Sequence, residues 1–76
     1  MSPGRDPLLD LIARVLRIDR GRVNESSSTE TLSEWDSLGQ MNICLEVQER
    51  FAVVMSLEGL QRATSVSSLR TILGTP

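Results

Sequence analysis

The sequence predicts an all-α domain, a small bundle of four helices with a long loop between the first and the second. Three observations predict it. The longest periodic apolar pattern, roughly residues 37–51, has helical spacing. Residues of the type that cap helices stand just before each periodic stretch: Asp6, Asp36, Ser56 and Ser65. The one run that reads as a strand, Ala52-Val53-Val54-Met55, has no second run to pair with.

Composition sets the bounds. Seventy-six residues make one domain near the lower limit for a single core. Apolar residues make up 39% of the chain, but the aromatics are only Trp35 and Phe51, so the core must be aliphatic. One cysteine, Cys44, excludes an internal disulfide, and the lack of histidine excludes a Cys/His metal site. No apolar run is long enough to span a membrane and no signal-peptide pattern opens the chain; the expectation is a cytoplasmic protein.

Taken in order, residues 1–5 have no pattern and are expected to be a loose terminus. Asp6-Pro7 starts helix one, with Asp as cap and Pro in the first turn. That helix is expected from Pro7 to Arg17, with Gly21 as a stop signal. Its leucines, Ile12, Ala13 and Val15 fill roughly 220° of the wheel, which suits a helix packed against two neighbours. Residues 18–36 read as a polar surface loop pinned by Ile18, Val23 and Leu32, and a loop of that length in so small a domain is often functional.

Helix two carries two apolar stripes. Ile43, Val47 and Phe51, with Cys44 at the edge, have ordinary core spacing. Leu38, Met41 and Leu45 lie roughly 120° away, free to cover a third helix or to meet a partner. Gly39 costs helix stability, so either the first turn tolerates it or something approaches the backbone there. Gln40 points to the core side without an evident reason. Leu57 to Arg62 and Val66 to Leu73 complete the helices, and Gly74 and Pro76 end the last one.

The junction before helix two is where chemistry is expected. Asp36 is positioned as N-cap and Ser37 falls in the first turn, beside unpaired amides and the positive end of the helix dipole. A phosphate esterified on Ser37 would be held by those donors. An Asp-Ser pair alone is more often only a cap. No His, Lys or Cys stands near Ser37 in sequence to activate it, and no acid/base pair, metal constellation or glycine loop suggests an enzyme. All eight basic residues are Arg; five of them, with three aspartates, fall in residues 5–22, whereas residues 25–49 hold six acids and no base. With net charge −2, this argues against nucleic acid and for a basic protein surface as partner.

The stretch EWDSLGQMNICLEVQERF followed by AVVMSLEGLQRATSVSSL resembles the acyl carrier proteins. The resemblance spans nearly the whole chain: the Asp-Ser-Leu motif opening helix two, a Phe fourteen residues after the Ser, a short third helix and a Ser-Val start to the fourth. It implies an acyl-carrier-like four-helix bundle and a single carrier domain over residues 1–76. It implies 4′-phosphopantetheine, donated by coenzyme A, attached to Ser37 by a magnesium-dependent phosphopantetheinyl transferase. The arm would carry an acyl or aminoacyl group as a thioester to partner enzymes, namely a loading enzyme and downstream acyltransferase or condensing enzymes. The protein itself would catalyse nothing and would act as a monomer. By position, Asp36 and Leu38 match recognition residues beside the modified serine, and Met41, Leu45, Glu49 and Met55 match the partner-facing surface. Helix two departs from the fatty-acid-synthesis pattern of several acids, with Gly39, Gln40, Asn42 and Gln48, and Arg50 near its end. The glycine pair usual before the serine in peptidyl carriers is Ser33-Glu34-Trp35-Asp36 here. A discrete carrier of a specialised polyketide, aminoacyl or nonribosomal-peptide pathway is therefore expected, the alternative being an unmodified interaction module of the same fold.

Overall fold

A computed structural model describes residues 6–74, and the loose terminus expected at residues 1–5 and the terminal Pro76 lie outside them. Four α-helices follow one another: α1 Pro7–Leu16, α2 Ser37–Arg50, α3 Leu57–Arg62 and α4 Val66–Leu73. No strand forms among the described residues. The all-α expectation holds, and the helix bounds agree with the sequence to within one residue.

Each helix starts where a side chain can take an orphan amide. The Asp6 carboxylate accepts from the amides of Leu8 and Leu9 at 3.0 and 3.2 Å. Ser56 Oγ accepts from Gly59, and Ser65 Oγ from Ser68, both at 3.0 Å. The stops were less legible. Helix α1 ends at Arg17, whose φ of 58° is left-handed, and not at Gly21, which sits in a single 3-10 turn, Arg20–Arg22. Ala52, just past α2, has φ 53°. Glycine is the usual residue in that conformation, but here Arg and Ala adopt it, so the apolar periodicity and not a glycine marks both ends.

The core is aliphatic except at one point. Leu8, Leu11 and Ile12 of α1 meet Ile43, Cys44 and Val47 of α2, and Val66 and Leu69 of α4. The exception is Trp35, the largest fully buried side chain. It lies in the long connection, which is pinned at Ile18, Val23 and Leu32 as expected but is held to the core more fully than its composition suggested. Val23, Leu32 and even Ser27 are buried too. The connection is also tied across the domain. Thr29 N–H donates to Thr64 O and Val66 N–H to Ser27 O, both at 3.0 Å, around an isolated bridge between Ser28 and Ser65. The second bond satisfies backbone groups of buried Ser27 and Val66 that would otherwise be stranded.

Residues 52–55 make no ladder, as the sequence suggested, because their backbone bonds go to α2. The Met55 amide donates to Gln48 Oε1 at 3.0 Å and the Val53 amide to Gln48 O at 3.2 Å. The extended chain alternates instead: Met55 turns into the core and Val54 is 94% exposed.

The charges cross-link the elements. Arg70 of α4 donates to Glu25 in the connection and to Asp6 at the start of α1. Burial opposes ionisation of Asp6, but its bonds to Arg70 and to the Leu9 and Leu8 amides outweigh that and hold its carboxyl below the ordinary value. Glu34 takes a two-pronged bond from Arg22 at 2.8 and 3.0 Å, and Glu46 pairs with Arg14 at 3.2 Å. Half of the run of six acids, Glu25, Glu34 and Glu46, is thus paired with arginines in space, which its sequence did not suggest. Among the described residues only Glu30, Asp36 and Glu49 of the six have no ion pair.

Gly39 explains itself by packing. A Cβ there would lie 2.8 Å from both the Glu34 carbonyl oxygen and Leu16 Cδ2. The close-approach alternative is the correct one. Gly39→Ala should lose about 1–3 kcal/mol from overpacking even though alanine favours helix by about 1 kcal/mol. Gly59→Ala, whose Cβ would meet nothing nearer than 3.4 Å, should be neutral or stabilising. Urea midpoints of the two variants check this; equal behaviour would show that the Gly39 contact yields at no cost.

Candidate functional site

The start of α2 is fixed from three sides. Asp36 is its N-cap, with Oδ1 accepting from the Gly39 amide at 2.9 Å. The Asp36 carbonyl accepts from the Gln40 amide at 2.7 Å. Behind these, Trp35 anchors the preceding residue in the core. Its indole Nε1–H donates to Gln40 Oε1 at 2.6 Å, and Gln40 Nε2 donates onward to the Leu60 carbonyl at 2.8 Å. Leu60 lies in the last turn of α3, where carbonyls have no intrahelical partner. Gln40, for which the sequence offered no reason, therefore joins the connection, α2 and α3 through one side chain.

Ser37 stands in the first turn of α2, exposed. Of the amides at this helix start, that of Gly39 is taken by Asp36, while those of Ser37 and Leu38 have no acceptor among the described residues. An anion on the Ser37 hydroxyl would meet these donors and the positive end of a 14-residue helix. Asp36, although exposed, is oriented toward Gly39 N–H as a cap.

A groove of about 310 Å³ runs from Ser37 between α2 and α3. Met41, Cys44, Leu57 and Leu60 make it mainly apolar, and Gln40 and Gln61 supply its polar groups. Cys44 is fully buried beneath it, and burial pushes its thiol pKa up, consistent with a small packed hydrophobe.

Beside the groove lies the second stripe of α2. Leu38, Met41 and Leu45 are 70%, 55% and 54% exposed, while Ile43, Cys44 and Val47 are sealed. The two stripes thus separate as core and surface, with Phe51 half-buried at the end of the core stripe. Glu49 is exposed on α2. Met55 is the correction among the expected surface residues. It is 7% exposed and belongs to the core, because the extended chain directs alternate side chains inward. Leu57, 72% exposed at the start of α3, and Val54 stand outward instead. Residues 51–55 are all apolar, so nothing in the sequence separated Val54 from Met55.

Compared with known protein families, residues 6–73 match the family model described as "Phosphopantetheine attachment site". No curated protein matches the chain, and no solved structure does.

Gln40→Leu would leave the buried Trp35 N–H without an acceptor and the Leu60 carbonyl without its donor. A buried polar group left unpaired costs about 1–3 kcal/mol. The variant should unfold at a lower urea midpoint by that order, and amide exchange in α3 should quicken before exchange in α1. Unchanged α3 exchange would show that Gln40 does not hold the third helix.

Proposed function

The chain belongs to the phosphopantetheine-attachment-site family, whose carrier domains hold 4′-phosphopantetheine covalently, and on that premise we propose that it is a discrete acyl carrier with Ser37 as the attachment residue. The observation that carries the assignment is the position of Ser37: an exposed hydroxyl in the first turn of α2, next to two amides without an acceptor among the described residues and at the mouth of an apolar groove. These features fit the group. The Ser37 and Leu38 amides would face its phosphate, and the groove walled by Met41, Leu57 and Leu60 is adjacent to the chain leaving it. When bound, the arm supplies a thiol that holds an acyl or aminoacyl group as a thioester.

The protein's own part is presentation. Ser26 and Ser33 are also exposed in the connection, but neither opens a helix. Asp36 and Leu38 flank Ser37 as recognition residues for the phosphopantetheinyl transferase. That enzyme brings the base that activates the hydroxyl, since the neighbouring carboxylate is engaged as a cap. Leu38, Met41, Leu45 and Glu49 form the surface read by loading enzymes and by downstream acyltransferase or condensing enzymes. Met55 has no place on that surface, and Leu57 takes it. In this reading the protein carries out no chemistry itself, works as a monomer and acts in the cytoplasm. No helix of the described residues is long and apolar enough to cross a membrane. A specialised polyketide, aminoacyl or peptide pathway is favoured by the few acids of α2, where Gln40 and Gln48 make internal ties and only Glu46 and Glu49 are acidic.

Two outcomes follow. Intact mass after incubation with coenzyme A, magnesium and a broad-specificity transferase should rise by one phosphopantetheine, mapped to the Ser37 peptide and absent in Ser37→Ala. The rate should fall as salt rises, because Asp36 beside the new phosphodiester calls for a basic transferase surface. A gain that survives Ser37→Ala would move the site. No gain with several transferases would leave an unmodified interaction module.

The stripe gives the second outcome. Leu45→Ala should change stability by no more than about 0.5 kcal/mol, whereas Ile43→Ala should cost about 2–5 kcal/mol. Leu45→Ala should nevertheless slow transfer to or from a partner enzyme. A cost at Leu45 equal to that at Ile43 would make the stripe core.

A further inference from the structure

On the side of α2 away from α3, an open groove of about 510 Å³ separates α2 from the end of α1. Three arginines line it: Arg14 and Arg17 from α1, and Arg50 from the last turn of α2. One acid, Glu46, stands among them and pairs with Arg14 at 3.2 Å. Arg17 and Arg50 are exposed and have no ion pair among the described residues, so the groove carries about two uncompensated positive charges in a protein whose net charge is −2. Each of these two also sits at the negative end of its own helix, which favours a cation there singly. Helix ends do not account for their meeting on one groove together with Arg14. Nor do they account for the apolar side chains in the same groove, Val15 and the 54% exposed Leu45.

We propose that this groove docks an acidic, leucine-bearing helix or loop of a partner protein. The charge pattern selects the partner's carboxylates. Arginine forks match carboxylates in two-pronged geometry, and three of them around an apolar patch reproduce the usual anatomy of a small interface, apolar at the centre and polar at the rim. Val15 and Leu45 give the apolar contact that a free anion or a nucleic-acid backbone would not use. Leu45 is shared with the crest next to Ser37 and lies roughly 12 Å along the helix from it. A partner seated here would therefore have the attachment end within its reach, and the proposal rests on the carrier reading for its purpose though not for the binding itself.

The test uses the full chain labelled with nitrogen-15 and a short synthetic helical peptide with Leu and Glu along one face. Saturable amide shifts are expected at Arg14, Arg17, Leu45 and Arg50, and the affinity should weaken as salt rises. The double variant Arg17→Glu, Arg50→Glu should weaken binding roughly tenfold. The milder Arg17→Gln, Arg50→Gln pair should weaken it less, and covers the case in which the double reversal disturbs the helix ends. Equal binding of the same peptide with Lys in place of Glu, shifts confined to other surfaces, or unchanged affinity in both variants would overturn the proposal. So would a single-stranded oligonucleotide that occupies the groove more tightly than the acidic peptide. Intact mass of the same variants after transferase treatment reports on Ser37 separately, so failure of the groove and failure of the carrier assignment are distinguishable.

Discussion

The hydrogen bond from the Trp35 indole to Gln40 is the constraint on which the start of α2 depends. Burying an indole removes roughly 200 Å² from water, on the order of 5 kcal/mol at most, but only if its N–H finds an acceptor. Gln40 is that acceptor at 2.6 Å. Once Trp35 is fixed in the core, Asp36 and Ser37 follow at the surface within two residues. Once Gln40 is fixed, its amide reaches Leu60 and α3 is drawn against α2. The groove beside Ser37 exists because those two helices are held at that separation. Gly39 is the complementary condition: without a side chain, it lets Leu16 and the Glu34 carbonyl close over the other side of the same turn.

The charges serve the same end. In a domain this small, hydrophobic burial leaves a narrow margin over chain entropy. Arg70 joins the start of α1, the connection and α4, and Arg22 holds Glu34 two residues before the cap. Exposed pairs of this kind contribute little singly. Arranged across elements distant in sequence, they fix the course of the long connection, whose serine-rich stretch has little else to pack. The acids so engaged are no longer available to a partner, and the surface around Ser37 is less anionic than the sequence order implies.

Most of the fold was legible because its signals are local. Asp6-Pro7, Asp36, Ser56 and Ser65 place the four helix starts, and helical spacing separates Ile43, Cys44 and Val47 from Leu38, Met41 and Leu45. What stayed hidden depends on pairing between distant residues. Trp35 looked like part of a polar stretch: Val23 and Leu32 were legible as pins of the connection, but nothing local says that Trp35 enters the core with them. Gln40 had no role until Trp35 and Leu60 stood on either side of it. Arg17 and Ala52 end helices in a conformation that sequence reading assigns to glycine. Met55 needed the extended course of residues 53–56, which Gln48 imposes from α2. Ser37 stood out in the sequence from its helix-start context and the family resemblance; the grooves on the two sides of α2 could not be read there.

Those two grooves show how one 14-residue helix is divided. At about 100° per residue, Ile43, Cys44 and Val47 occupy roughly a third of the circumference and are wholly buried. The remaining arc holds a crest, Leu38, Met41 and Leu45, between two hollows. Met41 lines the apolar hollow that begins at Ser37, and Leu45 lines the arginine-rich one at the far end. A helix packed on both flanks would have no such crest. Here α3 is only six residues long and α1 ends at Arg17, so neither covers the outer face of α2. The short helices that limit the core of this domain are the same feature that leaves its longest helix open to a partner.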